Sequence, residues 1–361
     1  MKIGIITGGG DAPGLNAVIY GVVRTALSRF PDCQLIGYKF GYRGLFLNDY
    51  IPLTRENTSG ILHRGGTIIY SSNKDNIFAY PHTENGVTKL RDVSGVAIDN
   101  LHKEGVDALV VLGGDGTLAG ALEFARRGVN VVGVPKTIDN DLSSTAATFG
   151  FNTAVNIVVE NLGRLHTTAE SHHRVLVVEV MGRDAGWIAL HAGVAGSADI
   201  ILLPEMPYNI HKIVDKINER ESIGKHFSII VVAEGTKPQG GAVTVGRVVE
   251  HSPEALRYGG IAAKLAADLE PLCGKEVRSV TLGHIQRGGE PTAYDRILSL
   301  RYAVKAVDLI EQGTFGHMAA LWGGKMGSVS LEEVFAGGNK FVQPDDELIQ
   351  LAKGLGISFG I

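Results

Sequence analysis

Short, continuously apolar runs alternate along this chain with segments of helical character, and that alternation narrows the fold more than any other feature. The runs are 3–6, 34–38, 108–112, 130–134, 175–180, 200–203, 228–233 and 278–282. Apolar runs of this length, bounded by turn residues, read as strands buried on both faces. Between them, 93–104, 117–128, 152–166, 209–223 and 254–269 have helix-like composition. The first interval is the clearest. Leu15, Val18, Ile19, Val22, Val23 and Ala26 recur at spacings of 3, 4, 7, 8 and 11, one face of a helix packed on a sheet. The alternation predicts an α/β architecture with mostly parallel sheets. In such sheets ligands bind beyond the carboxyl ends of the strands, so chemistry is expected just after each run. A length of 361 residues suggests two domains or one large one. Residues 50–100 depart from the pattern. They are rich in Asn, Ser, Thr and charge, and are expected to form a mobile flap with a tight turn at Arg64-Gly65-Gly66-Thr67.

Three run ends carry glycine or acidic motifs. After Val131-Val132-Gly133-Val134 comes Pro135-Lys136-Thr137-Ile138-Asp139-Asn140-Asp141. Residues two apart in an extended segment point the same way, so Thr137, Asp139 and Asp141 are expected to face one site. They suit a general base and a metal-facing carboxylate beside a phosphate, or else a plain polar loop. Leu109-Val110-Val111-Leu112 runs into Gly113-Gly114-Asp115-Gly116-Thr117, with a helical pattern from Leu118. A strand, a glycine-rich turn and a helix aim backbone N–H groups at phosphate oxygens. Asp115 repels a phosphate itself and suits Mg²⁺ held beside one. At the N-terminus, Thr7-Gly8-Gly9-Gly10-Asp11-Ala12-Pro13-Gly14 precedes the first helix, as a third anion loop or as a tight turn only.

Two further loops are basic. Met181-Gly182-Arg183-Asp184-Ala185-Gly186-Trp187 follows 175–180, and Gly283-His284-Ile285-Gln286-Arg287-Gly288-Gly289 follows Val280-Thr281-Leu282. Arg174 and Arg278 sit at the starts of those two strands. Arginine forks suit phosphate and can offset charge on a moving phosphoryl group, although each arginine read singly is as readily half of a surface ion pair. The net charge of −4 argues against nucleic acid as the main partner. Cys33 and Cys273 have no metal spacing and read as residues of a reducing compartment. No apolar run reaches the length of a membrane span, and the start lacks the long apolar region of a signal peptide, so a cytoplasmic location is expected.

Taken together these residues resemble the 6-phosphofructokinase family over nearly the whole chain. The resemblance rests on Gly-Gly-Asp-Ala-Pro-Gly-Leu-Asn at 9–16, Gly-Gly-Asp-Gly-Thr at 113–117, Thr-Ile-Asp-Asn-Asp at 137–141, Met-Gly-Arg at 181–183 and Gly-His-Ile-Gln-Arg-Gly-Gly at 283–289. It implies two Rossmann-like domains with the active site in the cleft between them. Residues 1–150 plus about 286–335 would bind the phosphoryl donor, and 151–285 plus about 336–361 the sugar phosphate. It implies phosphoryl transfer to the 1-hydroxyl of fructose 6-phosphate, with Asp139 as base on that hydroxyl and Asp115 holding Mg²⁺. Thr137 and Arg183 would steady the moving group. Met181, Glu234, His284 and Arg287, with their neighbours Ile138, Gly182, Ile285 and Gln286, would bind the sugar phosphate. Gly10, Gly114, Asp115, Gly116 and Thr117 match the nucleotide site, with Tyr42 in a matching stretch. Arg174 and Arg278 match arginines lent across a subunit interface, which implies a homodimer or homotetramer.

Two departures bear on regulation and on the donor loop. Asn73-Lys74 stands where the family carries a loop arginine, and a lysine cannot make a bidentate fork. The activator site keeps Arg24 and Lys225, but Tyr20, Ile223 and His166 replace three of its cations, so control by ADP or phosphoenolpyruvate is not expected. The donor depends on two positions. Gly116 leaves room for the α-phosphate of ATP, where pyrophosphate users carry aspartate. Lys136 is the residue that pyrophosphate users carry to meet their leaving group. The pair resembles the mixed-substrate subgroup, of phosphofructokinase A type. ATP is the expected donor and pyrophosphate the alternative, because a carboxylate would veto a nucleotide whereas a lysine assists any polyphosphate. A non-catalytic nucleotide-binding regulator is the weaker alternative, since it would be expected to lack Asp139 or Arg183.

Overall fold

The computed structural model describes residues 1–84, 87–249 and 255–361. Two sheets organise it. The larger runs Lys325–Ser330, His317–Trp322, Val131–Thr137, Ala108–Gly113, Lys2–Thr7, Gln34–Tyr38, Tyr50–Pro52, with Phe149–Gly150 added beside Val131–Thr137. Its five inner strands are parallel and the two outermost pair antiparallel. The smaller runs Ile200–Leu202, Ser228–Ala233, Val175–Val180, Val277–Thr281 and is parallel throughout.

Strand alternation divides each apolar run between two helical layers. Ala108, Val110 and Leu112 enter one core with the helices Leu15–Arg29 and Ala293–Glu311, while Leu109 and Val111 enter another with Ser94–Lys103 and Asp115–Arg126. All six spaced residues of the first helix, Leu15 to Ala26, are buried in the first of these cores. Gly21 lets that helix close on the later one, since a Cβ there would lie 2.5 Å from Ala303 Cβ. In the smaller sheet Leu176, Val178 and Val180 pack beneath Phe151–His172 and Trp187–Ala195. Val175 and Val177 face Ile210–Ser222 and Ile261–Cys273. Burying a Val, Leu or Ile side chain in this way contributes about 1.5–3 kcal/mol.

Where structure and expectation differ, tertiary contacts decide. The strand expected at 130–134 runs as Val131–Thr137 because Lys136 and Thr137 pair in register with Phe149 and Gly150. The helix expected at 254–269 begins later, at Ile261, and runs to Cys273, with Leu256–Tyr258 pairing antiparallel to Val245–Val248 before it; position 254 lies outside the described residues. The 50–100 region holds Tyr50–Pro52, the antiparallel pair Tyr80–Glu84 and Val87–Arg91, and the start of the helix Ser94–Lys103; Pro81 to Glu84 are exposed. Among the described residues no helix is long and apolar enough to cross a membrane.

Candidate active site

The carboxyl ends of both sheets carry the motifs. The strand Ala108–Gly113 passes through Gly114 straight into the helix Asp115–Arg126, so Asp115, Gly116 and Thr117 form its first turn rather than a turn before it. N–H groups at the start of a helix lack intrahelical acceptors and suit an anion, although here the Thr117 N–H donates to Gly114 O at 3.0 Å. Thr117 is buried, its side chain occupying the space above Gly8 and Gly113, and its carbonyl accepts a 2.6 Å hydrogen bond from the Tyr42 hydroxyl. Tyr42 thus props the loop from beneath. A Cβ built on Gly116 meets nothing within 4 Å, so that face of the turn is open. The N-terminal glycine loop lies alongside: the Gly8 N–H donates to Leu112 O and the Gly9 N–H to Ser72 O, both at 2.9 Å. The Ser71 hydroxyl donates to Gly9 O at 2.6 Å, which stitches on the loop carrying the exposed Asn73 and Lys74.

Lys136 is only 3% exposed and donates to the Gly10 carbonyl. One residue on, the strand ends. Thr137 and Asp139 do meet, but through a turn instead of strand alternation. The Asp139 N–H donates to Thr137 Oγ1 at 3.1 Å, and that hydroxyl donates to Asp139 Oδ2 at 3.2 Å. Asn140 then takes a left-handed conformation, φ 52°, and its Oδ1 accepts from the Thr148 N–H. Asp139 is 6% exposed, and its Oδ1 has no hydrogen-bond partner among the described residues. Burial pushes the Asp141 carboxyl up to about 8, with the charges of Asp139 and Asp115 adding and Arg183 opposing. Glu234 is pushed up to about 7 by burial and then by Asp139, while Arg287 draws it down. The carboxylates of Asp115, Asp139, Asp141 and Glu234 therefore share one electrostatic neighbourhood with the guanidiniums of Arg183 and Arg287.

The second sheet supplies those guanidiniums. Gly182, φ 139°, lets the chain turn sharply: a Cβ there would lie 2.5 Å from Ala185 O. The Arg183 N–H donates to Glu234 Oε1 at 3.1 Å. Gln286 is fully buried; its Oε1 accepts from the Met181 N–H at 3.3 Å and its amide donates to Gly283 O, so its side chain ties the two loops together. Arg287 reaches over the N-terminal loop, donating to Asp11 O at 3.2 Å with Nη1 against Gly10. His284 and Ile285 are exposed, while Ile138 turns its side chain into the second core.

A family model described as Phosphofructokinase matches residues 2–310. The ATP-dependent 6-phosphofructokinase 2 of Clostridium perfringens is 62% identical over 360 residues, covering 99% of this chain and 98% of its own. The chain belongs to the phosphofructokinase family. A pyrophosphate–fructose 6-phosphate 1-phosphotransferase of Amycolatopsis methanolica is 47% identical over 337 residues, 93% of this chain and 95% of its own. Among solved structures, phosphofructokinase from Saccharomyces cerevisiae superposes with a TM-score of 0.77 at 31% identity. That match covers 92% of this chain and 45% of the yeast chain, so this chain spans under half of that protein's length.

Two of the phosphofructokinase arginines lie apart from the rest. Arg174 precedes Val175–Val180 and Arg278 is near the start of Val277–Thr281, opposite the ends where Arg183 and Arg287 sit. At about 3.3 Å per residue the two ends are roughly 17–20 Å apart. Arg174 and Arg278 share one carboxylate, Glu276, at 2.7 and 2.5 Å. The structure adds a strap that no sequence motif marks. Lys340 donates its N–H to Asp141 O at 2.6 Å and its ammonium to Thr145 O and Ala146 O, and its carbonyl accepts from the Trp187 indole at 2.8 Å. Burial lowers the Lys340 ammonium to about 8, with the charge of Asp141 opposing. Residues 337–340, Gly-Gly-Asn-Lys, lie beyond the span of the family model.

Proposed function

We propose that this phosphofructokinase moves the terminal phosphoryl group of ATP to the 1-hydroxyl of fructose 6-phosphate, giving fructose 1,6-bisphosphate. The observation that carries the reading is the Asp139 carboxylate, buried just past the end of Val131–Thr137, with one oxygen held by Thr137 and the other unpartnered among the described residues. Such an oxygen is placed to accept the hydroxyl proton, and Thr137 holds the carboxylate in line for it. Arg183, close enough to weigh on Asp141, would offset charge on the moving group. Met181, Glu234, His284 and Arg287 would hold the sugar phosphate.

The donor set fits Mg²⁺, which is usually bound by one or two carboxylates with substrate phosphates completing its shell. Asp115, in the first turn of its helix and within electrostatic reach of Asp141, would hold the ion. When bound, the ion would neutralise charge on the phosphate oxygens. ATP is favoured as donor because the face of Gly116 is open to an α-phosphate, whereas Lys136, beside Gly10, would assist either polyphosphate. Pyrophosphate is the second reading, supported by the Amycolatopsis relative and by the presence of Lys136. Fructose 6-phosphate with either donor, in an assay coupled to fructose 1,6-bisphosphate formation, tests both; turnover with neither would refute the function.

The division into a donor part, 1–150 with about 286–335, and a sugar-phosphate part, 151–285 with about 336–361, belongs to the same proposal. Its support is the packing: Leu298 and Tyr302 return to the first sheet, and Val342 and Ile349 to the second. A cytoplasmic location is part of it too, supported by two cysteines that form no disulfide.

Two expected results follow for the anion site. Arg287→Ala should raise KM for fructose 6-phosphate by about 10- to 150-fold, the equivalent of roughly 1.5–3 kcal/mol for a charge-assisted contact. A loss confined to KM for the donor would place Arg287 in the glycine loop instead. Arg174 and Arg278 are too far from Arg287 to join it within one chain, so they would serve a neighbouring subunit. At fructose 6-phosphate well below the raised KM, where Arg278→Ala and Asp139→Asn chains are each nearly inactive alone, random mixing as dimers should recover roughly a quarter of parental activity. Hybrids with no recovered activity would rule out the shared site.

A further inference from the structure

We infer that Lys340 is a positioning residue that holds the Asp139 loop in register with the Arg183 loop across the two sheets, an inference that rests on the functional reading above. The two loops are anchored to different bodies of structure. The segment after Asp139 is bound to the first sheet and its helices: the Leu321 N–H donates to Thr145 Oγ1 at 3.0 Å, the Ala146 N–H to Leu321 O at 2.8 Å, and the Tyr302 hydroxyl to Ala147 O at 2.6 Å. The segment after Arg183 is bound to the second. Trp187 opens the helix Trp187–Ala195 and packs in the second core, and the Gly186 N–H donates to Glu205 Oε1 at 2.9 Å. Ile138, beside Asp139, already packs in the second core, and Lys340 adds hydrogen bonds that join the segments following Asp139 and Arg183.

Lys340 bonds to both. On the Asp139 side it uses its N–H to Asp141 O and its ammonium to Thr145 O at 3.3 Å and Ala146 O at 3.1 Å. On the Arg183 side its carbonyl takes the Trp187 indole N–H, and its ammonium lies 5.5 Å from that ring's centroid. Its neighbours repeat the arrangement. Asn339 bridges Leu142, and the Val342 N–H shares with Gly186 the same Glu205 oxygen, at 2.9 Å each. An ammonium is well matched to this place, because two carbonyls of an irregular loop need donors when partly buried and one ammonium supplies both. Lys340 is half-buried, with its ammonium hydrogen-bonded to two loop carbonyls.

The test separates geometry from stability. Parent, Lys340→Met, Lys340→Arg and Trp187→Phe are assayed with fructose 6-phosphate and ATP or pyrophosphate, each well below its melting temperature. Displacing a catalytic group by about 1 Å costs on the order of 100-fold. Lys340→Met should therefore lower kcat by roughly 10- to 100-fold, with both KM values within about twofold of the parent's. Lys340→Arg should recover most of kcat, because a guanidinium can also donate to two carbonyls. Trp187→Phe, which removes the indole N–H together with one ring of the bicycle, should lower kcat several-fold. If Lys340→Met melts lower but keeps the parental kcat, Lys340 is a structural tether only and the inference fails. If Lys340→Met does not fold, Trp187→Phe decides, and its parental kcat would overturn the inference. A parent inactive with both donors overturns the functional reading, and this inference with it.

Discussion

Asp139→Asn is expected to lower kcat by roughly 10²- to 10⁴-fold, the usual cost of losing a general base, and to do so in a protein that is folded. Asparagine keeps the shape of the side chain and an oxygen for the Thr137 hydroxyl, so the turn from Thr137 to Asn140 has no reason to rearrange. It replaces the unpartnered Oδ1 by a group that cannot take the hydroxyl proton. Thermal stability should move the other way. The Asp139 charge helps to raise the Asp141 and Glu234 carboxyls above their ordinary values. A carboxyl raised in the folded state favours the folded protein when protonated, and that stabilisation is lost as pH rises from the ordinary carboxylate range through the folded values, about 7 for Glu234 and about 8 for Asp141. Removing Asp139's charge relieves part of this penalty near neutral pH, so the variant should melt at or above the parent's temperature at pH 8. Activity exchanged for electrostatic strain is what a site built for chemistry shows. A folded variant turning over near the parental rate would remove Asp139 from the base role.

The parallel strands are legible because burial on both faces leaves them mostly apolar, with at most one polar residue in each of the runs 34–38, 175–180 and 228–233. The runs 34–38, 175–180 and 228–233 coincide with the strands found. The helix Ala293–Glu311 is not legible. It buries Asp295 and Ser299 while exposing Tyr294, Ile297 and Val304, so neither face reads as core. The same limit applies to the site. Residues whose chemistry is local to a motif, such as Asp115, Thr137, Asp139 and Arg183, stand out in the sequence and are brought to the carboxyl ends of the two sheets. Residues whose role depends on a distant partner do not. Tyr42, Gln286 and Ile138 are expected from sequence at the site; the structure engages their side chains with Thr117 O, the Met181 N–H and the second core. Lys340 carries no signal at all, because its three carbonyl partners and the Trp187 indole are about 150 to 200 positions away in sequence.

Gly116→Asp is expected to reduce the use of ATP by two to three powers of ten and to spare pyrophosphate. The fold should accept the change. Position 116 is in the first turn of the helix Asp115–Arg126, where an acidic residue is favoured by the helix dipole and a glycine costs about 0.5–1 kcal/mol relative to alanine. A Cβ there meets no atom within 4 Å, so no side chain must move. The effect must therefore come from the carboxylate and from what passes in front of it. Under the proposed function that is the α-phosphate of ATP. Two unit charges about 4 Å apart repel by about 4 kcal/mol at the effective dielectric of a protein surface, which is close to three powers of ten before salt screens it. Pyrophosphate has neither a third phosphate nor a nucleoside at that point, and Lys136, already beside Gly10, remains to meet it. The measurement is kcat/KM for both donors in parent and variant. A parent that already prefers pyrophosphate would mean that Lys136 outweighs the room left at Gly116 and would reverse the ranking of donors. A variant that uses ATP as the parent does would show that the nucleotide passes elsewhere, and the account of this loop would fall whichever donor the parent prefers.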